Sequence, residues 1–495
     1  MIEIPNAERG KVIVRFAPNP SGYLHIGHAR AAILNDEISR QYGGKLILRI
    51  EDTDPGWGGE ESYAAIEEDL KWVGCDWDMK IIQSDRLPVY ENFARQLVEK
   101  GHAYLCNCEP EKFKVLKLQK MPCPHRNMEI SENLKNFDKM YAREGWTVRI
   151  KTDLNSPNPS LVDFPLLRVS KEHHPRLKKK ELVVYPLMNL SVAVDDHLLG
   201  ITHVLRGKDH LTNTEKQKFI YKYFGWKEPE YIHYGIMSIG QEGKISKSEI
   251  KKGIDENKFT GWDDVNLLTL RALKRRGINP RAIRNYMLNL GVTDVDVEFS
   301  EEALYFENKK FIESSFRYFF IEDPVKINVE NFPYMDVQFP LHKEHSYGFR
   351  EFNLVSKEGK INLLIQKSDA EKLKEGDEIR LMNTCNVRVK CLTKAEGITE
   401  IIADYVENSH GPMVVANGKK GKKGKFFNVA KVLWLPDENL CPGAKIYMPG
   451  RIAKGICETG CRNLKENDII QFETFGFCRA DKIMGNEIEF YWTQR

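Results

Sequence analysis

No run of residues in this chain is apolar for long enough to cross a bilayer, so no membrane-spanning helix is expected. Met1 to Arg9 is polar and carries no signal-peptide core. Cysteine is sparse for the length: ten in 495 residues, four before residue 124 and six after residue 384. That spacing excludes the dense disulfide framework of a small secreted domain. A cytoplasmic protein is expected, with reduced thiols of which some bind metal. No internal repeat is present. Charge of neither sign prevails: 74 Lys and Arg stand against 71 Asp and Glu, a net charge of +3. Such balance neither suggests nor excludes a nucleic-acid partner, because a basic face can be offset elsewhere.

What is present implies several domains rather than one. Val12, Val14 and Phe16 alternate with polar neighbours, as in a strand. Ala17 to Tyr23 is a Pro/Ser/Gly loop, and Ala29 to Tyr42 has apolar positions at helical spacing, ended by Gly43 and Gly44. Leu46, Ile47, Leu48 and Ile50 predict a buried strand. Strand, glycine-containing loop, helix, strand is the first unit of a nucleotide-binding α/β domain. Ser191 to Arg206 predicts short apolar strands of the same parallel sheet, which makes the region from Cys106 to about residue 188 an insertion between its halves. Residues 262–292 read as helical, with a break at Gly277 to Pro280. After about residue 322, short apolar runs alternate with Gly, Asn, Asp and Lys clusters, a β-barrel texture. Gly418 to Lys425 is a basic stretch expected to form a mobile loop.

The stretch Arg15 to His28 carries the chemistry. Two histidines flank Ile26-Gly27 where a helix begins. A helix N-terminus offers unpaired N–H groups and partial positive charge, and so attracts phosphate. Gly22 and Gly27 let the backbone approach a bulky anion, and His25 and His28 can donate hydrogen bonds to it. Far downstream, Gly243 to Ser248 is a polar loop with two lysines, and Lys247 can place a compact charge on a triphosphate. Each element alone is compatible with ordinary solvated residues. Together, in this order, they resemble the two signature motifs of class I aminoacyl-tRNA synthetases, here His25-Ile-Gly-His28 and Lys244-Ile-Ser-Lys-Ser248. Ile245 stands where that family has methionine, a volume-conserving change. The resemblance implies attack of an amino-acid carboxylate on the α-phosphate of ATP, with loss of pyrophosphate. Catalysis is then positioning and charge stabilisation. It assigns His25 and His28 to the α-phosphate, and Lys244 and Lys247 to the departing phosphates with Mg²⁺. Asn19, Pro20, Ser21, Gly27, Ile245 and Ser246 complete the implied ATP site.

Leu48 to Pro55, which reads LRIEDTDP, resembles the strand end that follows the first motif in glutamyl-tRNA synthetases. By that likeness Glu51 receives the substrate ammonium. Asp195 to His210 resembles the next segment, where an arginine of glutamate enzymes faces the side-chain carboxylate and a small residue replaces it in glutamine enzymes. That position is Arg206 here. A guanidinium fork pairs two carboxylate oxygens, whereas a neutral amide leaves its charge unpaired. Arg15 adds a second positive group. Relatives often have a tyrosine just before this segment; counting places Met188 there, with Tyr185 nearby and Asn189 beside them, and all three are taken as pocket candidates.

Cys106, Cys108, Cys123 and His125 form two close pairs whose thiolates and imidazole suit tetrahedral Zn²⁺. Similar zinc sites occur here in many glutamyl enzymes, and the expected role is structural. Cys457 and Cys461 lack a matching second pair and read as barrel residues. Leu270 to Arg284 is basic, with Leu270, Leu273 and Ile283 expected inward and Arg271, Lys274, Arg275 and Arg281 outward toward tRNA phosphates. Gly261 to Asp264, Asp323 to Lys326, Ile379 to Asn383 and Phe472 to Arg479 resemble the archaeal glutamyl and the glutaminyl enzymes; Arg380, Asn383 and the Lys419–Lys425 loop are candidate anticodon-stem contacts.

The resemblance, which covers nearly the whole chain, is to archaeal-type glutamyl-tRNA synthetases. It implies a multidomain α/β fold. A Rossmann-like catalytic domain in two halves (1–104 and 190–240) would carry an acceptor-end-binding insertion with the zinc site (105–189). A KMSKS loop and helical stem-contact domain (241–321) and two β-barrel anticodon-binding domains (322–495) would follow. It implies ATP, L-glutamate and tRNA(Glu) as substrates of a monomer, with charging of tRNA(Gln) left open. Relatives often carry a further N-terminal region, whereas this chain starts almost at the first strand. The alternative is a glutaminyl-tRNA synthetase; a truncated relative that modifies a tRNA base, or an inactive tRNA-binding paralogue, fits the long C-terminal region and the paired motifs less well.

Overall fold

The computed structural model describes residues 2–56, 59, 61–142, 144–177, 182–239, 247–395, 397–411, 414–416, 419–420, 429–436 and 440–495. They fall into two compact units. The first comprises Met1–Trp262, Thr269–Arg271 and Ile283–Leu304; the second comprises Asp263–Leu268, Ala272–Ala282 and Tyr305–Arg495. No helix among the described residues is long and apolar enough to cross a membrane.

In the first unit, strands β1 (Ile13–Phe16), β2 (Lys45–Ile50) and β3 (Met79–Ile82) form a parallel sheet in that order. Helix α1 (Ile26–Tyr42) joins the first two and buries Ile33, Leu34 and Ile38. Its N-cap is His25 in an extended conformation, and it ends at Gly43, whose φ of 58° is the left-handed cap that glycine adopts without a Cβ clash. The helix thus begins three residues earlier than periodicity alone indicates, because His25 supplies the cap.

The sheet is then interrupted by α2 (Glu61–Trp72), α3 (Leu87–Glu99) and an insertion. The insertion is a four-stranded antiparallel sheet of β4 (Ala103–Cys106), β5 (Thr147–Ile150), β6 (Pro165–Ser170) and β7 (Val183–Pro186). Helices α4 (Pro110–Leu118) and α5 (Ile130–Asp138) lie between β4 and β5.

The chain returns through α6 (Met188–Leu198), the parallel strand β8 (His203–Gly207), α7 (Leu211–Phe224) and β9 (Glu230–Tyr234). Residues 191–198 are therefore helix, not the short strands expected. Leu190 through Asp196 are all buried, so the run has no polar face, and a short apolar run does not tell helix from strand by periodicity. Strand β8 lies beside β1: Thr202 N–H donates to Ile13 O at 2.9 Å, and Thr202 Oγ1 accepts from Ile13 N–H at 2.8 Å. The chain runs outward from β1 through β2 and β3, then resumes on the other side of β1. That reversal is a topological switch point, where an open parallel sheet forms a crevice beyond its strand C-termini.

In the second unit, two sheets of seven segments each curl on themselves. One begins at Phe316–Tyr318 and ends at Phe320–Glu322; the other begins at Ala430–Val432 and ends at Trp434–Pro436. In each, the outermost segments are one run of chain split at a single residue, Phe319 or Leu433. The two edges therefore meet and the sheet closes into a barrel, which removes exposed strand edges. Separate cores fill the barrels, one around Ile327, Leu363, Val387 and Trp434, the other around Phe472, Cys478, Ile488 and Phe490. Cys457 and Cys461 are fully buried in the second core, as expected.

Candidate active site

A cavity of about 490 Å³ opens at the C-terminal ends of β1, β2, β8 and β9. It is lined by Arg15, Asn19, His25, Gly27, His28, Arg30, Glu51, Met188 and Arg206 among others. The histidine motif is built as a cap. His25 Nδ1 accepts from Gly27 N–H at 3.0 Å, and His28 Nδ1 accepts from His25 N–H at 3.3 Å. With Nδ1 accepting on each ring, the neutral imidazole carries its proton on Nε2. The ring centroids are 3.9 Å apart, so two Nε2–H donors are held together at a helix N-terminus. Gly27 is required here: a Cβ on it would lie 2.8 Å from the His25 ring. Behind the motif, Trp262 packs against Gly22, where a Cβ would lie 3.0 Å from the indole, and against Tyr23, with ring centroids 5.2 Å apart. This explains the place of Gly261-Trp262 in the sequence likeness. Arg30, which the sequence reading missed, is buried on the next turn of α1. It donates to Gly235 O at 2.8 Å and lies 4.9 Å from the Tyr234 ring centroid, tying α1 to the end of β9.

Arg15, Arg30, Arg206, Glu51 and Asp209 line the cavity, and the buried Arg49 and Asp196 pair with Glu51 and Arg15. Arg49 Nη1 donates to Asp196 Oδ1 at 2.5 Å and Nη2 to Glu51 Oε1 at 2.9 Å. Arg15 Nε lies 3.5 Å from the same Asp196 oxygen, and its Nη1 donates to Leu205 O at 3.4 Å. Burial pushes the Glu51 carboxyl up, against the pull of Arg49 and Arg15. Arg206 differs from both neighbours. Its Nη2 donates to Thr214 Oγ1 at 2.6 Å and Gln217 Oε1 at 2.9 Å, while Nε and Nη1 are buried with no partner among the described residues. Burial, followed by the nearby charge of Arg15, lowers its pKa to about 10. An unfilled buried donor is costly, and the two on Arg206 can take an anionic partner from the cavity.

Residues 11–313 match the family model described as tRNA synthetases class I (E and Q), catalytic domain, and residues 315–406 match the anti-codon binding domain of the same class. The chain belongs to the class I glutamyl/glutaminyl tRNA synthetases. It is 45% identical over 487 residues to the glutamate–tRNA ligase of Methanocaldococcus jannaschii, covering 97% of this chain and 83% of that one. It is 41% identical to that of Methanopyrus kandleri, covering 97% and 82% of the two chains, and 42% identical to that of Methanococcus maripaludis, covering 100% and 85%.

Not every residue expected in this synthetase site lies in it. Pro20 and Ser21 form the turn behind Asn19, with Ser21 N–H donating to Asn19 O at 2.9 Å, and do not line the cavity. Of the three residues weighed near the amino acid, Met188 lines the cavity. Tyr185 is buried on β7 of the insertion and donates to Glu172 O at 2.9 Å, and Asn189 Oδ1 accepts from Gln217 at 3.5 Å; neither lines the cavity, which corrects the expectation of direct pocket residues. Lys244, Ile245 and Ser246 lie outside the described residues, and Lys247 is placed only as the first residue of the helix Lys247–Asp255. Asp196, Arg49, Thr214 and Gln217 were missed. The one available signal was charge inside otherwise apolar runs, as in Arg49 within KLILRI.

The expected tRNA contacts also divide. Lys274 and Arg281 are exposed. Arg271 instead pairs with Glu68 at 2.5 Å and lies 4.3 Å from the Tyr23 ring centroid. Arg275 pairs with Asp263 at 2.8 Å and Asp481 at 3.3 Å. Arg380 is fully buried, donating to Asn386, Ser409 O and Thr384 O. It braces the barrel and is not available to phosphate, a correction that follows from its place on an inward-facing strand position. Asn383 is exposed in the adjoining turn with a φ of 58°. The basic stretch Gly418 to Lys425 lies outside the described residues except for the backbone of Lys419–Lys420.

In the insertion, the ligand atoms of Cys106, Cys108, Cys123 and His125 lie within 4.8 Å of one another. Cys123 Sγ is 3.5 Å from both other sulfurs and 3.4 Å from His125 Nδ1. Tetrahedral zinc with bonds of about 2.3 Å separates sulfurs by about 3.8 Å, so this donor set is of the right kind and size. The hydrogen bond with Cys123 pulls the Cys106 thiol down and pushes the Cys123 thiol up, and burial pushes Cys108 up; metal binding takes all three as thiolates.

Gly27→Ala tests the cradle. It should move the His25 ring and slow amino-acid-dependent ATP–pyrophosphate exchange by about a hundredfold, with unchanged far-ultraviolet circular dichroism. An unchanged exchange rate would show that the ring's position does not matter.

Proposed function

We propose that this chain is a glutamate–tRNA ligase: it activates L-glutamate with ATP to glutamyl-adenylate and transfers the glutamyl group to the 3′ end of tRNA(Glu), releasing AMP and pyrophosphate. The observation that carries the reading is the buried Arg206, two of whose donors are unfilled in a cavity that also holds the paired imidazoles. The substrate's side-chain carboxylate fills Nε and Nη1 of Arg206, with Arg15 adding to the field, while Glu51 receives the ammonium. The α-carboxylate then faces the α-phosphate of ATP, which enters as its Mg²⁺ complex. His25 and His28 donate Nε2–H to the phosphate oxygens as charge gathers there, and Lys244 and Lys247 hold the departing pyrophosphate. No covalent enzyme intermediate is needed; the enzyme aligns two bound reactants and stabilises charge.

The glutaminyl alternative fits less well, because a neutral amide leaves the Arg206 charge uncompensated in a buried site. The three relatives cited above, which match over nearly the whole chain, are glutamate enzymes by name. The insertion takes the acceptor end of the tRNA, the helical region contacts the stem through Lys274 and Arg281, and the barrels read the anticodon. The enzyme acts in the cytoplasm, where translation takes place, and works as a monomer. Cys106, Cys108, Cys123 and His125 would hold a structural Zn²⁺, which would brace the insertion and take no part in catalysis.

Activity and metal content test these statements. ATP–pyrophosphate exchange in the presence of tRNA should run with glutamate and not with glutamine, and Arg206→Ala should abolish the glutamate-dependent rate while the protein stays folded. Exchange with glutamine alone would reverse the assignment. Metal analysis of the purified chain should find about one zinc per molecule. Cys108→Ser combined with Cys123→Ser should lose it and lower the melting temperature, and metal content equal to that of the parent protein would remove the zinc assignment.

A further inference from the structure

Arg206 is held by neutral oxygens alone. Thr214 and Gln217, which accept from its Nη2, stand three residues apart on α7 and so share one face. Both are buried, at 3% and 0% exposure. The sense of the Gln217 amide follows from the guanidinium, which has donors only, so Oε1 faces Arg206 at 2.9 Å and Nε2 is turned toward Asn189 Oδ1 at 3.5 Å. Thr214 Oγ1 is fixed as well, meeting His233 Nε2 at 2.8 Å. The Tyr231 ring lies under the guanidinium at 5.4 Å. The two neighbouring arginines are treated otherwise: Arg49 takes Asp196 and Glu51, and Arg15 takes Asp196. A carboxylate at either α7 position would have satisfied Arg206 within the protein. Two neutral acceptors orient the guanidinium without cancelling its charge, and they leave its other edge to the cavity.

We infer that Thr214 and Gln217 are positioning residues that determine specificity: they clamp one end of Arg206 with uncharged oxygens, so that the negative partner of this cation is supplied only by an acidic amino-acid side chain. The inference rests on the reading of Arg206 as the partner of the glutamate side chain. It makes the absence of charge at positions 214 and 217 the selective feature, rather than the particular oxygen at either one. A carboxylate placed there competes with the substrate from inside the protein. The pocket then becomes neutral, and glutamate arrives as a surplus anion while glutamine is no longer at a disadvantage.

The test is tRNA-dependent ATP–pyrophosphate exchange by the full chain, with glutamate and glutamine varied separately. The variants are Gln217→Glu, Thr214→Asp and Gln217→Met, with Arg206→Ala alongside. Gln217→Glu should raise the KM for glutamate by on the order of a hundredfold, leave the KM for ATP within about threefold, and narrow the preference for glutamate over glutamine. Thr214→Asp should do the same from a second position. Gln217→Met, which removes the oxygen without adding charge, should raise the glutamate KM by less than about tenfold and keep the preference. Equal effects of Gln217→Glu and Gln217→Met would reduce Gln217 to a packing role and overturn the inference. So would a Gln217→Met enzyme that loses the preference, a result that decides the matter even if both carboxylate variants fail to fold. Arg206→Ala that keeps the glutamate preference would instead overturn the reading of Arg206 itself.

Discussion

The constraint on which this site depends is an incomplete one: a guanidinium taken out of water with only part of its hydrogen bonding satisfied. Burying a cation is costly unless its donors and its charge are met. Arg49 meets that cost within the protein, through Asp196 and Glu51. Arg206 does not, and its two open nitrogens define both the place and the sign of the missing group. On the reading proposed above, a site built for a charge rejects a neutral isostere by leaving that charge bare, provided that Thr214 and Gln217, the groups holding Arg206, carry none.

The fold brings this cation to the phosphate cradle. Both lie at strand C-termini on either side of the reversal beside β1, with His25 and His28 after β1 and Arg206 at the end of β8. Asp196 links the two halves: it lies on α6, yet pairs with Arg49 of β2 and Arg15 of β1. Asp195 beside it turns the other way and accepts from Tyr90, Gln83 and Arg86, which fastens α6 to α3 and its approach. Two adjacent buried acids thus serve the pocket and the scaffold. The insertion departs between β3 and β8, and its four antiparallel strands share one core with α3, α6 and α7, in which Leu105, Val148 and Leu167 pack with Leu97, Leu190 and Ile220.

Much of this was legible in the sequence, for identifiable reasons. Motifs whose chemistry requires fixed spacing survive as text: the His-Ile-Gly-His cap, Glu51 after a buried strand, Arg206 at a strand end and the close pairs Cys106/Cys108 and Cys123/His125. The barrels announced themselves through short apolar runs and turn residues. What stayed hidden depends on direction rather than identity. Leu190 to Asp196 is buried on every side, so nothing in its pattern separated helix from strand. Arg380 and Arg275 read as tRNA contacts because arginine is usually exposed, and only the folded chain shows their partners, Asn386 for Arg380 and both Asp263 and Asp481 for Arg275. Thr214 and Gln217 are unremarkable in sequence, and their role follows from standing one helical turn apart under Arg206.

The central claim is best tested by binding without turnover. Calorimetric titration of the unmodified protein with inert sulfamoyl analogues of glutamyl-adenylate and glutaminyl-adenylate compares a charged and a neutral side chain on one scaffold. The account predicts that the glutamyl analogue binds tighter by on the order of a thousandfold. Affinities within about tenfold of each other would mean that the open guanidinium does not select the substrate.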